Sequence, residues 1–183
     1  MAAKQFVAVR LKKLEYAAVP ASGLPVTWTD VDVVHEDTFQ YVTPEQSADP
    51  YKNEITGKPY FHDVTESGDL SFEFSIGKYD LALKATLQGG TYTPAVAAAT
   101  TPEVVAAVEA KWVPAVDKTP IYLAFRATTV DDIKITFAKA MVLSNTKANK
   151  KAQGLAVKAV AETPDDPTLS IEEWGDGNLL ATE

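Results

Sequence analysis

With 183 residues, of which 46% are hydrophobic and 23% charged, the chain is long enough for one domain with a sizeable core and too apolar for wholesale disorder. The absence of cysteine excludes disulfides, thiolate metal sites and a cysteine nucleophile, and no apolar run approaches the roughly 20 residues that a membrane-spanning helix needs. The net charge of -8 is lopsided: residues 159–183 hold seven acids, Glu162, Asp165, Asp166, Glu172, Glu173, Asp176 and Glu183, and no base, so tight nucleic-acid binding is not expected.

The N-terminal stretch threads lysines and an arginine through its apolar residues and so lacks the unbroken core of a signal peptide. Within residues 5–19, Val7, Val9 and Leu11 alternate and predict a strand, although Val7, Leu11 and Leu14 also fit a helix. Residues 20–25, PASGLP, carry turn chemistry. Residues 26–42 are a second extended run rich in β-branched and aromatic side chains, and the two runs together predict a long first hairpin.

Residues 43–64 lose all periodicity and hold three prolines and one glycine, which reads as a long loop. Structureless connections beyond about 12–15 residues are uncommon in compact domains. Tyr51, Ile55, Tyr60 and Phe61 are too many apolar anchors for a free linker, so the loop is expected to order against something, such as another copy of the chain.

The clearest local signal is residues 69–90, DLSFEFSIGKYDLALKATLQGG. Leu70, Phe72, Phe74 and Ile76 alternate with polar residues, the period of a strand with one buried face. Residues 78–87 then bring Tyr79, Ala82, Leu83 and Leu87 round at helical spacing, and Gly89 and Gly90 stop the helix. A helix this short is expected to dock across an open end or face of the sheet that holds Phe72 and Phe74.

Residues 91–120 begin as low-complexity Ala, Thr and Pro. Thr101, Pro102 and Glu103 resemble a helix start, with Val104, Val105 and Val108 on one side, and Trp112 and Pro114 lead out in an extended segment. Ile121, Leu123, Phe125 and Ala127 alternate, Asp131 and Asp132 mark a turn, and Ile133, Ile135 and Phe137 resume, which predicts a hairpin. That phase puts Lys139 where an apolar residue belongs, before Met141 and Leu143 recover. A rim position, a β-bulge or an intersubunit contact is expected there. A basic loop and one more strand over residues 155–161 follow. The remaining tail carries isolated Leu169, Ile171, Trp174 and Leu179, and part of it is expected to dock, since a free tail would not need Trp174.

No pattern of catalytic chemistry stands out, and no catalytic residue, cofactor or metal is assigned. His35-Glu36-Asp37 and His62-Asp63, with Glu66 nearby, match no zinc spacing and read as ordinary strand or surface positions. Ser22-Gly23 and Ser67-Gly68 are turn serines without a strand-to-helix elbow. Gly175-Asp176-Gly177 lacks the ligand ladder of a calcium loop, and Gly89-Gly90 follows a helix rather than preceding one, the wrong order for a phosphate cradle. The lysines of residues 147–151, without interleaved aromatics, read as a solvated hairpin tip, with pairing to the acidic tail of another copy as an alternative.

In order along the chain, LKKLEYAAV, a turn and WTDVDVVHEDTFQYV, the loop DPYKNEITGKPYFHDV, GDLSFEFSIGKYDLALKATLQGG, Trp112-Val113-Pro114 and IYLAFRATTVDDIKITFAKAMVLSNTKANKKAQGLAVKAVAE resemble the major tail tube proteins of long-tailed bacteriophages. The resemblance covers most of residues 5–162. It implies a β-sandwich or half-barrel of antiparallel strands with one flanking helix, six copies closing into rings, and rings stacking into a tube that DNA passes through without being held.

It further implies a β domain over residues 1–162, with 43–64 as interaction loop and 95–112 as an insertion, and an acidic C-terminal tail over 163–183. The partners implied are copies of the chain and other tail proteins, with no membrane, in a virion tail assembled in the host cytoplasm. Tyr51, Ile55, Tyr60, Phe61 and Lys139 are the subunit-interface candidates. Other readings are a tube protein of a contractile secretion apparatus, or a β-sandwich adhesin presenting Trp28, Trp112 or Trp174 to a glycan.

Overall fold

The computed structural model describes residues 10–97, 107–117, 119–148 and 153–176. Their architecture is mainly β, all strand pairs being antiparallel, with one helix among the described residues. The strands are β1 (Leu11–Ala18), β2 (Thr29–Asp30), β3 (Gln40–Val42), β4 (Glu45–Lys52), β5 (Pro59–Ser67), β6 (Ser71–Ile76), β7 (Thr91–Thr93), β8 (Lys111–Val113), β9 (Ile121–Thr129), β10 (Ile133–Ala148), β11 (Gln153–Ala161) and β12 (Glu172–Asp176), with helix α1 (Leu81–Gln88) between β6 and β7. Eight of them form the main sheet, in the order β2-β1-β9-β10-β11-β6-β3, with β12 also on β10. The pairs β4-β5 and β7-β8 stand apart as two small ribbons. The helix start expected at Thr101, Pro102 and Glu103 lies outside the described residues.

The period-two alternation puts one face of the main sheet inward. Phe72, Phe74 and Ile76 on β6, Leu155, Val157 and Ala159 on β11, Phe125 and Ala127 on β9, and Ile135 and Phe137 on β10 are all buried in one core. Phe72 stacks on Phe137 with ring centroids 3.9 Å apart. At roughly 1.5–3 kcal/mol for each large apolar side chain buried, this core is the main stabilising term.

Residues 26–42 do not form the second half of a long hairpin. Only Thr29 and Asp30 pair with β1, and Val31 N–H donates to the Leu14 carbonyl. Within two residues the chain has reached β6: Gly77 N–H donates to the Val33 carbonyl, His35 N–H to that of Ser75, and β3 pairs with β6 beyond. The two ends of the strand order are thus stitched together by one short stretch, so the sheet curls round its core. Alternation along residues 26–42 is broken because the stretch serves two strands in turn.

The extra residue in β10 falls where the sequence signals it. Phe137 opposes Phe125 but Ala140 opposes Leu123, which leaves a β-bulge at Ala138 and Lys139. A bulge shifts the side-chain phase by one. Ala140 and Val142 therefore take the core face, whereas Leu143 is 50% exposed. Met141 and Leu143 do not resume the inward row, contrary to the expectation from simple alternation.

β11 and β12 lie end to end along one side of β10. Ala161 opposes Ala140, Glu162 N–H donates to the Lys139 carbonyl, and Glu172 opposes Phe137. Residues 163–171 are looped out between the two. Trp174 on β12 meets Tyr41 edge-on at 5.6 Å, so part of the acidic tail is docked.

Helix α1 starts later than its composition suggests, because Asp80 accepts from Leu83 N–H at 2.7 Å and caps it. Leu87 reaches the core, and Tyr79 and Leu83 pack against it. At the other end Gly90 has a φ of 100° and lies so close to the β8 end that an added Cβ would sit 2.2 Å from the Val113 carbonyl oxygen. Only glycine fits there.

Candidate assembly surface

The stretch read as a loop over residues 43–64 holds most of a two-stranded arm, made of β4 and β5, that runs on to Ser67. The β3-β6 pairing ends at Val42 and Ser71, and the arm resumes at Glu45 and Ser67. Its eight-residue strand β4 extends over roughly 26 Å at about 3.3 Å per residue. The turn is built by Asn53: its Oδ1 accepts from Ile55 and Thr56 N–H, its own N–H donates to Lys58, and Gly57 supplies the positive φ of 64°. Ser47 bonds Thr65 and Gln46 bonds Glu66 across the ladder.

Every described side chain in the arm's strands is exposed. Among the described side chains the arm shows no hydrophobic face toward the body, and β4, exposed along its whole length, leaves no alternation in the sequence. An isolated two-stranded ribbon is marginally stable in water. Asp49 and Asp63 stand directly opposite one another, and like charges so placed weaken the ribbon further.

The arm's apolar residues gather near its turn. Tyr51 opposes Phe61 with ring centroids 5.8 Å apart, and these side chains are 51% and 57% exposed. Ile55, in the turn itself, is 94% exposed. Three of the interface candidates thus share one end of one element. Tyr60 is in β5, but its side chain lies outside the described residues.

Lys139 is elsewhere, on the outer face of the main sheet. Its ammonium is 2.8 Å from Asp165 and 4.9 Å from the Tyr122 ring centroid, and the Asp165 hydrogen bond raises its pKa. Next in the looped-out segment, Asp166 accepts from Thr168 and from Gly23 N–H, which holds its carboxyl below the ordinary range. Lys139 is engaged within the same chain, and its strand β10 is in the main sheet, unpaired with the β4-β5 arm.

The remaining motifs are in ordinary structural positions. The His35 imidazole lies against Gly77, where an added Cβ would be 2.7 Å from its Cε1. Gly175 and Asp176 are in β12, paired with Lys134 and Ile133, rather than in a loop. Trp28 carries the Arg126 guanidinium at 4.4 Å; Trp112 donates to the Gly89 carbonyl at 2.9 Å beneath Lys84; Trp174 faces Tyr41. The three tryptophans are engaged in different parts of the fold and do not form a common platform.

No protein-family model matches the chain, and no curated protein matches it.

Proposed function

We propose that the chain is a structural subunit that joins copies of itself into rings, and that the rings stack into a tail tube through which DNA passes. The observation that carries this reading is the arm: a ribbon of two long strands whose described side chains are all exposed, with Tyr51, Ile55 and Phe61 bare at its end. The ordered resemblance of residues 5–162 to tail tube proteins supplies the kind of assembly.

Magnitudes favour a closed ring over a simple pair. Complete burial of one such side chain contributes roughly 1.5–3 kcal/mol, and less for rings already half covered. Association costs about 4–15 kcal/mol in lost freedom. One arm in one neighbour barely offsets that. In a ring each copy both gives and receives an arm, and the contacts reinforce one another. Outside residues 159–183 the chain holds 18 acids against 17 bases, so a wall built from it offers phosphate no net attraction.

In this reading the chain is no enzyme. Its partners are copies of itself and other tail proteins, and its place is the virion tail, assembled in the host cytoplasm. Negative-stain imaging and mass measurement of the purified full chain over a range of concentrations test it. Rings or tubes are expected. A strictly monomeric mass at high concentration, unchanged by removal of the arm's apolar residues, overturns it.

A further inference from the structure

Among the described residues, one stretch of β10 keeps an open edge. β9 follows β10 only as far as Ile121 opposite Val142, whereas β11 follows its other side to Gln153 opposite Ala148. Among the described residues no strand lies against the β9 side of residues 143–148. That edge borders a cavity of about 1130 Å³, lined also by Gly89, Pro114, Thr119 and Ile121. In an antiparallel ladder alternate residues turn N–H and C=O to the same side. About three residues of this edge therefore turn both groups toward that cavity, beside the Gln88 amide that donates to the Thr146 hydroxyl at 3.3 Å, and form a template for another strand.

The same chain carries a strand with the matching need. Just past the end of β4, Asn53 N–H points into the arm, to the Lys58 carbonyl. Two and four residues earlier, Tyr51 and Asp49 point the same way, so Pro50 between them faces outward. The outer edge of β4 thus lacks a donor at Pro50, the device that blunts exposed edges. β5 has no proline between residues 61 and 67. His62, Val64 and Glu66 oppose Pro50, Ala48 and Gln46 and so turn their N–H and C=O outward.

We propose that β5 of one copy pairs as an added strand with the 143–148 edge of β10 in a second copy. The inference rests on the self-assembly reading above and names the surface that receives the arm. Of the arm's two edges only that of β5 has an unbroken run of donors, over residues 61–67 beyond Pro59, and it offers three outward residues to about three on β10. The pairing covers both edges at once and gives the ribbon the third strand that it lacks.

Amide hydrogen exchange of the full chain, dilute and concentrated, tests this alongside a mass measurement. Peptides spanning 61–67 and 143–148 are both expected to gain protection as the mass rises. The variant Val64→Pro removes one outward donor and no bond within the arm. It is expected to abolish the gain at 143–148 while leaving the exchange of β9 and β11 unchanged. A rise in mass with 143–148 still open, or with Val64→Pro as protected as the parent, overturns the pairing while self-assembly stands. A mass that stays monomeric overturns both.

Discussion

Arg126 Nε donates to Glu15 Oε2 at 2.8 Å, between residues directly opposed on β9 and β1. Burial alone pushes the Glu15 carboxyl up, but the bonds from Arg126 and Lys13 outweigh it and hold its pKa below the ordinary 4.5. A depressed folded pKa contributes stability that is full above the unfolded value and is lost as pH falls through the folded one. With its side chain 6% exposed against 25% for Arg126, the pair is well shielded. Glu15→Gln is expected to cost about 1.5–3 kcal/mol at pH 7. Urea midpoints measured from pH 7 down to about 3 should show that gap closing below roughly pH 4.5.

The arm's apolar end is separable from the fold. Tyr51→Ser combined with Phe61→Ser removes two half-exposed rings that touch each other rather than the core. Stability of the dilute chain should change by no more than about 0.5 kcal/mol per substitution. Assembly, read as mass against concentration, should be lost. Unchanged rings in this double variant would mean that the arm does not hold them together.

Gly90 sets the exit from helix α1. Alanine there would have to adopt a φ of 100° and place its Cβ 2.2 Å from the Val113 carbonyl oxygen. The positive φ alone costs roughly 1–2 kcal/mol, before the backbone clash. At about 2–4 °C per kcal/mol for a chain of this size, thermal melting of Gly90→Ala should fall by several degrees. Trp112 fluorescence should report a changed environment, since its indole is bonded to Gly89 beside the strained position.

The bulge at Ala138 and Lys139 makes opposite predictions for neighbouring residues. Val142 is 6% exposed and Leu143 50%. Val142→Ser should cost at least about 2 kcal/mol, combining lost burial with an unpaired hydroxyl. Leu143→Ser should lie within about 0.5 kcal/mol. Simple alternation through Phe137 reverses that order, so chemical denaturation of the two variants tests the bulge directly.

The strands that carry the core are legible because each has one wet and one dry face, as in Phe72, Phe74 and Ile76, and the helix is legible because Leu83 and Leu87 recur at its period and two glycines end it. The arm is not, since periodicity records burial and nothing in β4 is buried within one subunit. Its aromatic content at Tyr51 and Phe61 was the usable signal. Residues 26–42 mislead for another reason: a stretch that pairs with β1 and then β6 changes neighbours midway, and no local pattern encodes that change. The bulge sits between these cases, since Lys139 out of phase marks the irregular position but does not say which residues inherit the inner face.

Joining β1 to β6 through residues 29–42 has a kinetic consequence. The contacts of Val31 with Leu14 and of His35 with Ser75 close loops of 17 and 40 residues, whereas the pairing of Leu11 with Thr129 on β9 closes one of 118. Loop closure over the longest separation comes late and slows folding. The latch is thus expected to form early, with the seam between β1 and β9 closing after it. Until that seam closes, β1 and β9 show bare margins on which a neighbouring chain can stick.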